Sequence, residues 1–140
     1  MTTRTYGWKP QLPDIRDHKF SLATPIHLPA VVDLRHKDCP IKDQGQLGSC
    51  SANAIGGMYE FDLMRNGHHS FVVSRLFIYY NERLLENTVN SDAGAFLRDG
   101  LKVMKKYGVC HETSWAYDVL QFATKPSADC YRQATDHMVT

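Results

Sequence analysis

The segment 42–54, KDQGQLGSCSANA, holds a cysteine where a polar loop changes into an apolar helical pattern. Cys50 falls in the first turn of that predicted helix, where free backbone N–H groups and the helix dipole favour negative charge. A thiolate is stabilised in such a position, and the thiolate is the reactive form of a cysteine. We therefore interpret Cys50 as a candidate nucleophile, and a plain buried cysteine is the alternative.

Gln44 lies six residues before Cys50, in the loop that leads into the helix. Its side-chain amide can turn back toward the sulfur and donate a hydrogen bond to an oxyanion that develops on a substrate. Gly45 and Gly48 allow this loop to bend tightly. The glutamine and the glycines favour the catalytic interpretation of Cys50 over the structural one.

A thiol nucleophile needs a base, and none of the seven histidines is an obvious candidate. His111 adjoins Cys110, but adjacent side chains in an extended backbone point to opposite faces. The other six lie in the N-terminal arm, in the loop after the first helix or near the end of the chain: His18, His27, His36, His68, His69 and His137. We interpret all seven as solvated or packing side chains.

The elements that position these residues are predicted to be mainly helical. After Ser49, which can cap the first helix, apolar residues recur every three and four positions, and Asn66-Gly67 is a natural stop. Further helices are predicted over 74–87, over 94–108 with Asp92 near the start, and after Ser127. Residues 1–40 contain five prolines and read as extended chain, in which LPAVVDLR, 28–35, is a candidate strand.

Length and composition exclude several classes of protein. The 140 residues suit one domain, and 43% hydrophobic residues are enough for a core. A net charge of +1 gives no reason to expect a nucleic acid or an anionic membrane as partner. No apolar run approaches the ~18 residues of a membrane span, and no secretory signal is evident, which favours the cytoplasm. The four cysteines form no CxxC pair, so we expect free thiols, no zinc site and no cofactor.

The stretch QGQLGSCSA resembles the nucleophile segment of papain-like cysteine peptidases, the papain and cathepsin family. LPAVVDLRHKDCPIKDQG is similar to the mature N-terminus of that family, and SRLFIYYNERL falls where the family has its second helix. DAGAFLRDGLKVMKKYGV resembles the glycine-containing substrate wall with the helix that follows it, and HETSWAYDV resembles the stretch that closes this half. The resemblance covers the chain from about Leu28 onward.

The resemblance implies a fold and a set of site residues. The fold would be the helical left lobe of the papain-like α+β architecture over 28–140, preceded by an extended arm over 1–27, with the β-rich right lobe absent. Cys50 matches the nucleophile, and Gln44 together with the Cys50 backbone N–H matches the oxyanion hole. The matches to substrate-binding positions are Gly48, Ser49, Gly94, Ala95 and Phe96. Of these, Phe96 would line a pocket wall, and a core position for Phe96 is the alternative.

The sequence departs from the family pattern at several positions. Leu47 and Ser91 stand where the family has a disulfide, which fits a reducing compartment, and Ser51 replaces a bulky aromatic residue. The arm is too short for the usual helical inhibitory prosegment. In the family the catalytic histidine and asparagine lie about 130–150 residues beyond the cysteine, which is past Thr140.

Two functions therefore remain open from the sequence. In the first, the chain is the nucleophile-bearing half of a cysteine peptidase that acts on peptides or proteins and is inactive alone. Its partners would be the missing C-terminal lobe with the histidine and asparagine, or a second copy that pairs with it or exchanges a segment. In the second, the chain is a non-catalytic binding module that kept the fold. We favour the first.

Overall fold

The computed structural model describes residues 6–19, 21 and 27–139 of the chain. Within these ranges the regular structure is helical, and no β-strand occurs beyond two isolated bridges. The four α-helices are α1, Cys50–Arg65; α2, Arg75–Leu85; α3, Leu97–Tyr107; and α4, Ala128–Ala134. Short 3₁₀ turns occupy Arg35–Lys37, Val119–Gln121 and Thr135–His137. The mainly helical fold class predicted from the sequence is confirmed.

Helices α1, α2 and α3 pack against one another around one apolar core. Its fully buried members include Ala52 and Ile55 from α1, and Leu76 and Ile78 from α2. Gly100 lets α3 approach closely, because a Cβ atom there would lie 2.2 Å from Ile55 Cδ1. Cys50 is therefore the first residue of a helix that packs against both α2 and α3.

Side-chain caps mark the start of two of the four α-helices, and a glycine follows the end of a third. The Ser74 side chain accepts a hydrogen bond from the Phe77 N–H at the start of α2, and Ser127 does the same for the Cys130 N–H in α4. Gly67, at φ 71°, follows the end of α1 as predicted. The predicted side-chain cap at Ser49 is wrong, because the Ser49 hydroxyl instead bonds the Tyr117 hydroxyl and the Asn53 amide.

The candidate strand at 28–35 does not form. No ladder joins this segment to another in the described residues, and Val31 and Val32 are 80% and 68% exposed. A strand is stable only where its backbone groups find a partner strand, and among the described residues segment 28–35 has none. The third helix also starts later than predicted: α3 begins at Leu97, and Gly94, at φ 68°, and Ala95 precede it in non-helical chain.

The N-terminal arm lies beside the start of α3. Arg98 Nη2 contacts the two Asp17 carboxylate oxygens at 2.7 and 2.8 Å, and the Arg98 N–H donates to Gln11 Oε1. The division into an arm over 1–27 and a lobe over 28–140 stays a prediction, and 1–5, 20 and 22–26 lie outside the described residues. No helix in the described part of the chain is both long enough and apolar enough to cross a membrane.

Candidate active site

The loop before Cys50 turns sharply and delivers the cysteine to the N-terminus of α1. Gly45 has φ 62°, a conformation that residues with a side chain rarely adopt. The Gln44 side-chain amide donates to the Leu47 carbonyl oxygen at 2.9 Å, so it folds back over its own loop. That bond uses one of the two N–H groups that the amide carries. Cys50 itself is partly buried.

Contacts from distant parts of the chain fix the same loop. The Tyr117 hydroxyl donates to the Gln44 carbonyl oxygen at 2.9 Å. Arg75 Nη1 donates to the Asp43 carbonyl oxygen at 3.1 Å and to Asn53 Oδ1 at 2.9 Å. The Arg75 guanidinium also lies 4.0 Å from the centre of the Tyr117 ring. The loop is therefore bonded to α1, to α2 and to the segment after α3.

Asp92 joins the nucleophile loop to the segment before α3. The Gly48 N–H donates to both Asp92 carboxylate oxygens, at 2.9 and 3.0 Å. The Tyr79 hydroxyl donates to Asp92 and accepts from the Gly94 N–H at 3.1 Å. Burial and the bond to Asp92 raise the pKa of Tyr79, so it stays a neutral donor. Gly48 and Gly94, both predicted to bind substrate, are thus held at a fixed separation.

A buried carboxyl group lies beneath the residue that follows the cysteine. Ser51 Oγ donates to Glu82 Oε2 at 2.8 Å, and Glu82 is fully buried. Glu82 Oε1 has no hydrogen-bond partner among the described residues. Burial raises the pKa of Glu82 to about 8. Ser51, which replaces the bulky aromatic residue typical of the family, thus bonds a buried carboxyl group directly behind the cysteine.

The predicted substrate edge is occupied by the chain's own N-terminal arm. Trp8 and Ala95 form a parallel bridge: the Ala95 N–H donates to the Gly7 carbonyl oxygen at 3.0 Å, and the Lys9 N–H donates to the Ala95 carbonyl oxygen at 3.4 Å. A Cβ atom on Gly7 would lie 1.9 Å from the Gly48 carbonyl oxygen. The arm thus fits between the nucleophile loop and the edge.

Two of the seven histidines pack on one aromatic ring, that of Phe71. His111 stacks on Phe71 with ring centres 4.1 Å apart, and His137 packs on the same ring at 4.4 Å. Burial lowers the pKa of His137, and the neighbouring His111 lowers it further. The other five histidines are exposed. In the part of the chain that the structure describes, no hydrogen bond joins a histidine to Cys50.

Five residues that organise this site were missed by the sequence analysis as contributors to it: Arg75, Tyr79, Glu82, Asp92 and Tyr117. Asp92 lies near a predicted helix start and opens one family-like stretch, and Tyr117 lies within another, but neither pattern indicates a role in the site. Their partners lie between 13 and 73 positions away in sequence. No local pattern could pair them, because their bonds depend on how the helices pack.

Comparisons with known proteins agree on one family. A peptidase C1-like protein of Acanthamoeba polyphaga mimivirus is 52% identical over 93 residues, which are 66% of this chain and 30% of that protein. The crystal structure of xylellain, a cysteine protease from Xylella fastidiosa, superposes with a TM-score of 0.82 at 40% identity, over 96% of this chain and 56% of that one. No family model matches the chain.

A structure of the mite allergens Blo t 1 and Der p 1 matches less closely, with a TM-score of 0.59 and 26% identity over 69% of this chain and 33% of that one. The chain thus spans about a third of the viral protein and just over half of xylellain. Over the part of their length that it spans, this chain is similar to papain-like cysteine peptidases in both sequence and fold.

Proposed function

We propose that the chain is the helical, nucleophile-bearing lobe of a papain-like cysteine peptidase. The observation that carries this proposal is Cys50 at the first residue of α1, directly after the rigidly held Gln44 loop. The helix terminus stabilises a thiolate, and the loop carries an amide donor close to the sulfur in sequence. Four free thiols support a reducing, cytoplasmic location.

The proposed reaction is acyl transfer to the cysteine. The Cys50 thiolate attacks the carbonyl carbon of a peptide bond, and the oxyanion accepts hydrogen bonds from the Gln44 side-chain amide and the Cys50 N–H. The C–N bond then breaks, the amine leaves with a proton from a general acid, and water hydrolyses the thioester. Gly48, Ser49, Gly94, Ala95 and Phe96 would hold the substrate backbone and side chains.

The general acid is the part that we assign to another lobe. The described histidines are exposed or packed on Phe71, so none of them is proposed as the acid. Without a positioned imidazole, Cys50 has no group that protonates the leaving amine. We therefore propose that this chain alone hydrolyses no peptide bond.

A fluorogenic peptide assay tests this proposal, with the chain alone and with the segment encoded after Thr140 added in trans. We expect turnover only in the mixture, and none with Cys50→Ala. Turnover by the purified chain alone that Cys50→Ala abolishes would contradict the inactivity and identify one of its own histidines as the base. A stop codon after Thr140, together with peptide binding that Cys50→Ala leaves unchanged, would instead favour the non-catalytic binding module.

Gln44 can be tested in the same assembled enzyme. Gln44→Ala should lower kcat/KM by about 10²–10³, the usual effect of one oxyanion-hole donor. The rate at which iodoacetamide alkylates Cys50 should change little, because Gln44 acts on the substrate oxygen. Unaltered turnover would remove Gln44 from the mechanism.

A further inference from the structure

The arm on the predicted substrate edge is held by side chains as well as by its backbone. Lys9 Nζ lies 2.6 Å from Glu86 Oε2, and the Glu86 side chain is only 7% exposed. The other carboxylate oxygen, Glu86 Oε1, accepts from the Phe96 N–H at 2.8 Å. The Lys9 ammonium also lies 5.2 Å from the centre of the Phe96 ring. An anion and an aromatic face thus surround one basic side chain.

The carboxylate of Glu86 is held by a backbone N–H as well as by Lys9. Its bond to the Phe96 N–H orients the group at the C-terminal end of α2, beside the backbone of the edge. Without a cation, Glu86 Oε2 would lose solvation that the Phe96 N–H does not replace, because that N–H bonds Oε1. An ammonium group replaces it through a charge-assisted hydrogen bond. The aromatic ring adds a cation–π contact. The site is therefore built for a positive charge and disfavours an apolar or acidic side chain.

We propose that Glu86 and Phe96 form a peptide subsite for a basic side chain, that Lys9 is its internal occupant, and that substrates with lysine or arginine compete with the arm for it. The proposal rests on the proposed function in that the edge at Gly94 and Ala95 is taken as the substrate edge. Glu86 is then a specificity-determining residue, and the arm keeps the edge covered until a basic peptide displaces it.

Gly7 fits tightly against Gly48 and Gly94. A substitution at position 7 can therefore remove the arm from the substrate edge without changing the residues of the edge itself. A side chain at position 7 would collide with the Gly48 carbonyl oxygen at 1.9 Å and with Gly94 Cα at 2.7 Å. Gly7→Ala should therefore displace the arm and leave Glu86 and Phe96 intact. Gly57→Ala is the matched control, because a Cβ atom at Gly57 meets nothing within 4 Å.

Binding of synthetic peptides to the full-length Gly7→Ala chain tests the subsite. The probes are labelled six-residue peptides with the sequence of residues 6–11, carrying lysine, methionine or glutamate at the place of Lys9, and binding is followed by fluorescence polarisation. We expect the lysine peptide to bind about tenfold or more tightly than the methionine peptide, and the glutamate peptide most weakly. Adding Glu86→Gln should abolish the difference between lysine and methionine. The wild type and Gly57→Ala should bind all three weakly.

Equal binding of the three peptides by Gly7→Ala, or discrimination that survives Glu86→Gln, would overturn the proposal. Neither result would contradict the proposed peptidase function, because the assay measures peptide binding and involves no bond cleavage. If Gly7→Ala does not fold, amide hydrogen exchange in the wild type and in the single variant Glu86→Gln tests the proposal instead. Glu86→Gln should then speed exchange of the Lys9 and Ala95 amides by about tenfold, and unchanged exchange would overturn the proposal.

Discussion

The four thiols of the chain have different surroundings, and these surroundings set their reactivity. Burial raises the pKa of Cys110 to about 12, and burial also raises the pKa of Cys39. Cys130 is buried, and its sulfur contacts the Ser127 hydroxyl and the Ser114 carbonyl oxygen. Cys50 is partly exposed and begins α1, where the backbone N–H groups of the first turn have no partner within the helix and can donate to an anion.

We therefore predict that Cys50 is the most reactive thiol. The folded chain is treated with limiting iodoacetamide, and the label is mapped by mass spectrometry. Most of the label should be on Cys50. The increase in its reactivity should be moderate, because no histidine is bonded to Cys50 in the described residues. Equal labelling of the four cysteines would show that the helix terminus does not activate Cys50. Labelling in urea is the control, where the four should become similar.

Glu82 should make the stability of the chain depend on pH. Its pKa is about 8 in the folded chain, against an ordinary value of 4.5. Below about pH 4.5 both folded and unfolded chains hold this proton; between the two values only the folded chain does. The free energy of unfolding therefore falls as pH rises from about 4.5 to 8, by on the order of a few kcal/mol, and then levels off.

Glu82→Gln should remove this part of the pH dependence and make the chain more stable than the wild type near pH 8.5. Its amide can still accept from Ser51 Oγ, and it never becomes charged. Urea unfolding at pH 5, 7 and 8.5 measures the effect. Parallel curves for the wild type and Glu82→Gln would mean that Glu82 does not hold its proton in the folded chain.

At the scale of elements, Gly100 determines how closely α3 can pack against α1 and α2. A Cβ atom there would lie 2.2 Å from Ile55 Cδ1 and 2.3 Å from Glu82 Oε1. Gly100→Ala should therefore destabilise the chain by about 1–3 kcal/mol through overpacking, measured by urea unfolding. Gly57→Ala makes the same chemical change in α1 with open space around it, and it should stabilise by about 0.5–1 kcal/mol. If both variants shift stability in the same direction, close packing at Gly100 is not the cause.

The helices could be predicted from sequence where a local signal exists. Ser74 and Ser127 precede apolar periodic segments, and both cap helices by bonding an N–H three residues on. The strand predicted at 28–35 is wrong, because the residues of this segment do not indicate whether a partner strand exists. Likewise, Ser49 has the chemistry of a cap, but Tyr117, distant in sequence, takes its hydroxyl. Helix existence was therefore predictable, whereas bonds between distant segments were not.

The residues of the site also fall into two groups, those that a short segment of sequence indicates and those that depend on contacts between distant segments. Gln44, Gly48 and Cys50 lie within one short segment, so their spacing alone indicated a nucleophile loop. Asp92 bonds Gly48 from 44 positions away, and its role depends on the packing of α2 against α3. The pairing of the arm with the edge at Ala95 could likewise not be predicted, because pairing between distant segments has no local sequence signal.

On the scale of the whole molecule, α1 carries apolar residues on the side that faces away from the core. Met58 is 53% exposed, and it lines a groove with Phe61, Leu34 and Ile41. Ile41 is fully exposed. Exposed apolar patches larger than a few hundred Å² mark interaction surfaces in soluble proteins. We propose that the second lobe covers this groove in a longer protein, and that a second copy covers it in the isolated chain.

The isolated chain should therefore self-associate through the groove. Size-exclusion chromatography with light scattering should report a species larger than the 15.9 kDa monomer, and it should shrink on dilution. Met58→Lys places a charge in the groove without disturbing the core, so it should shift the chain toward monomer. Leu120→Lys is the matched control, because Leu120 is 86% exposed and does not line the groove, and it should leave the association unchanged. A strictly monomeric wild type, or an oligomer that both variants leave intact, would show that this face of α1 is not the contact.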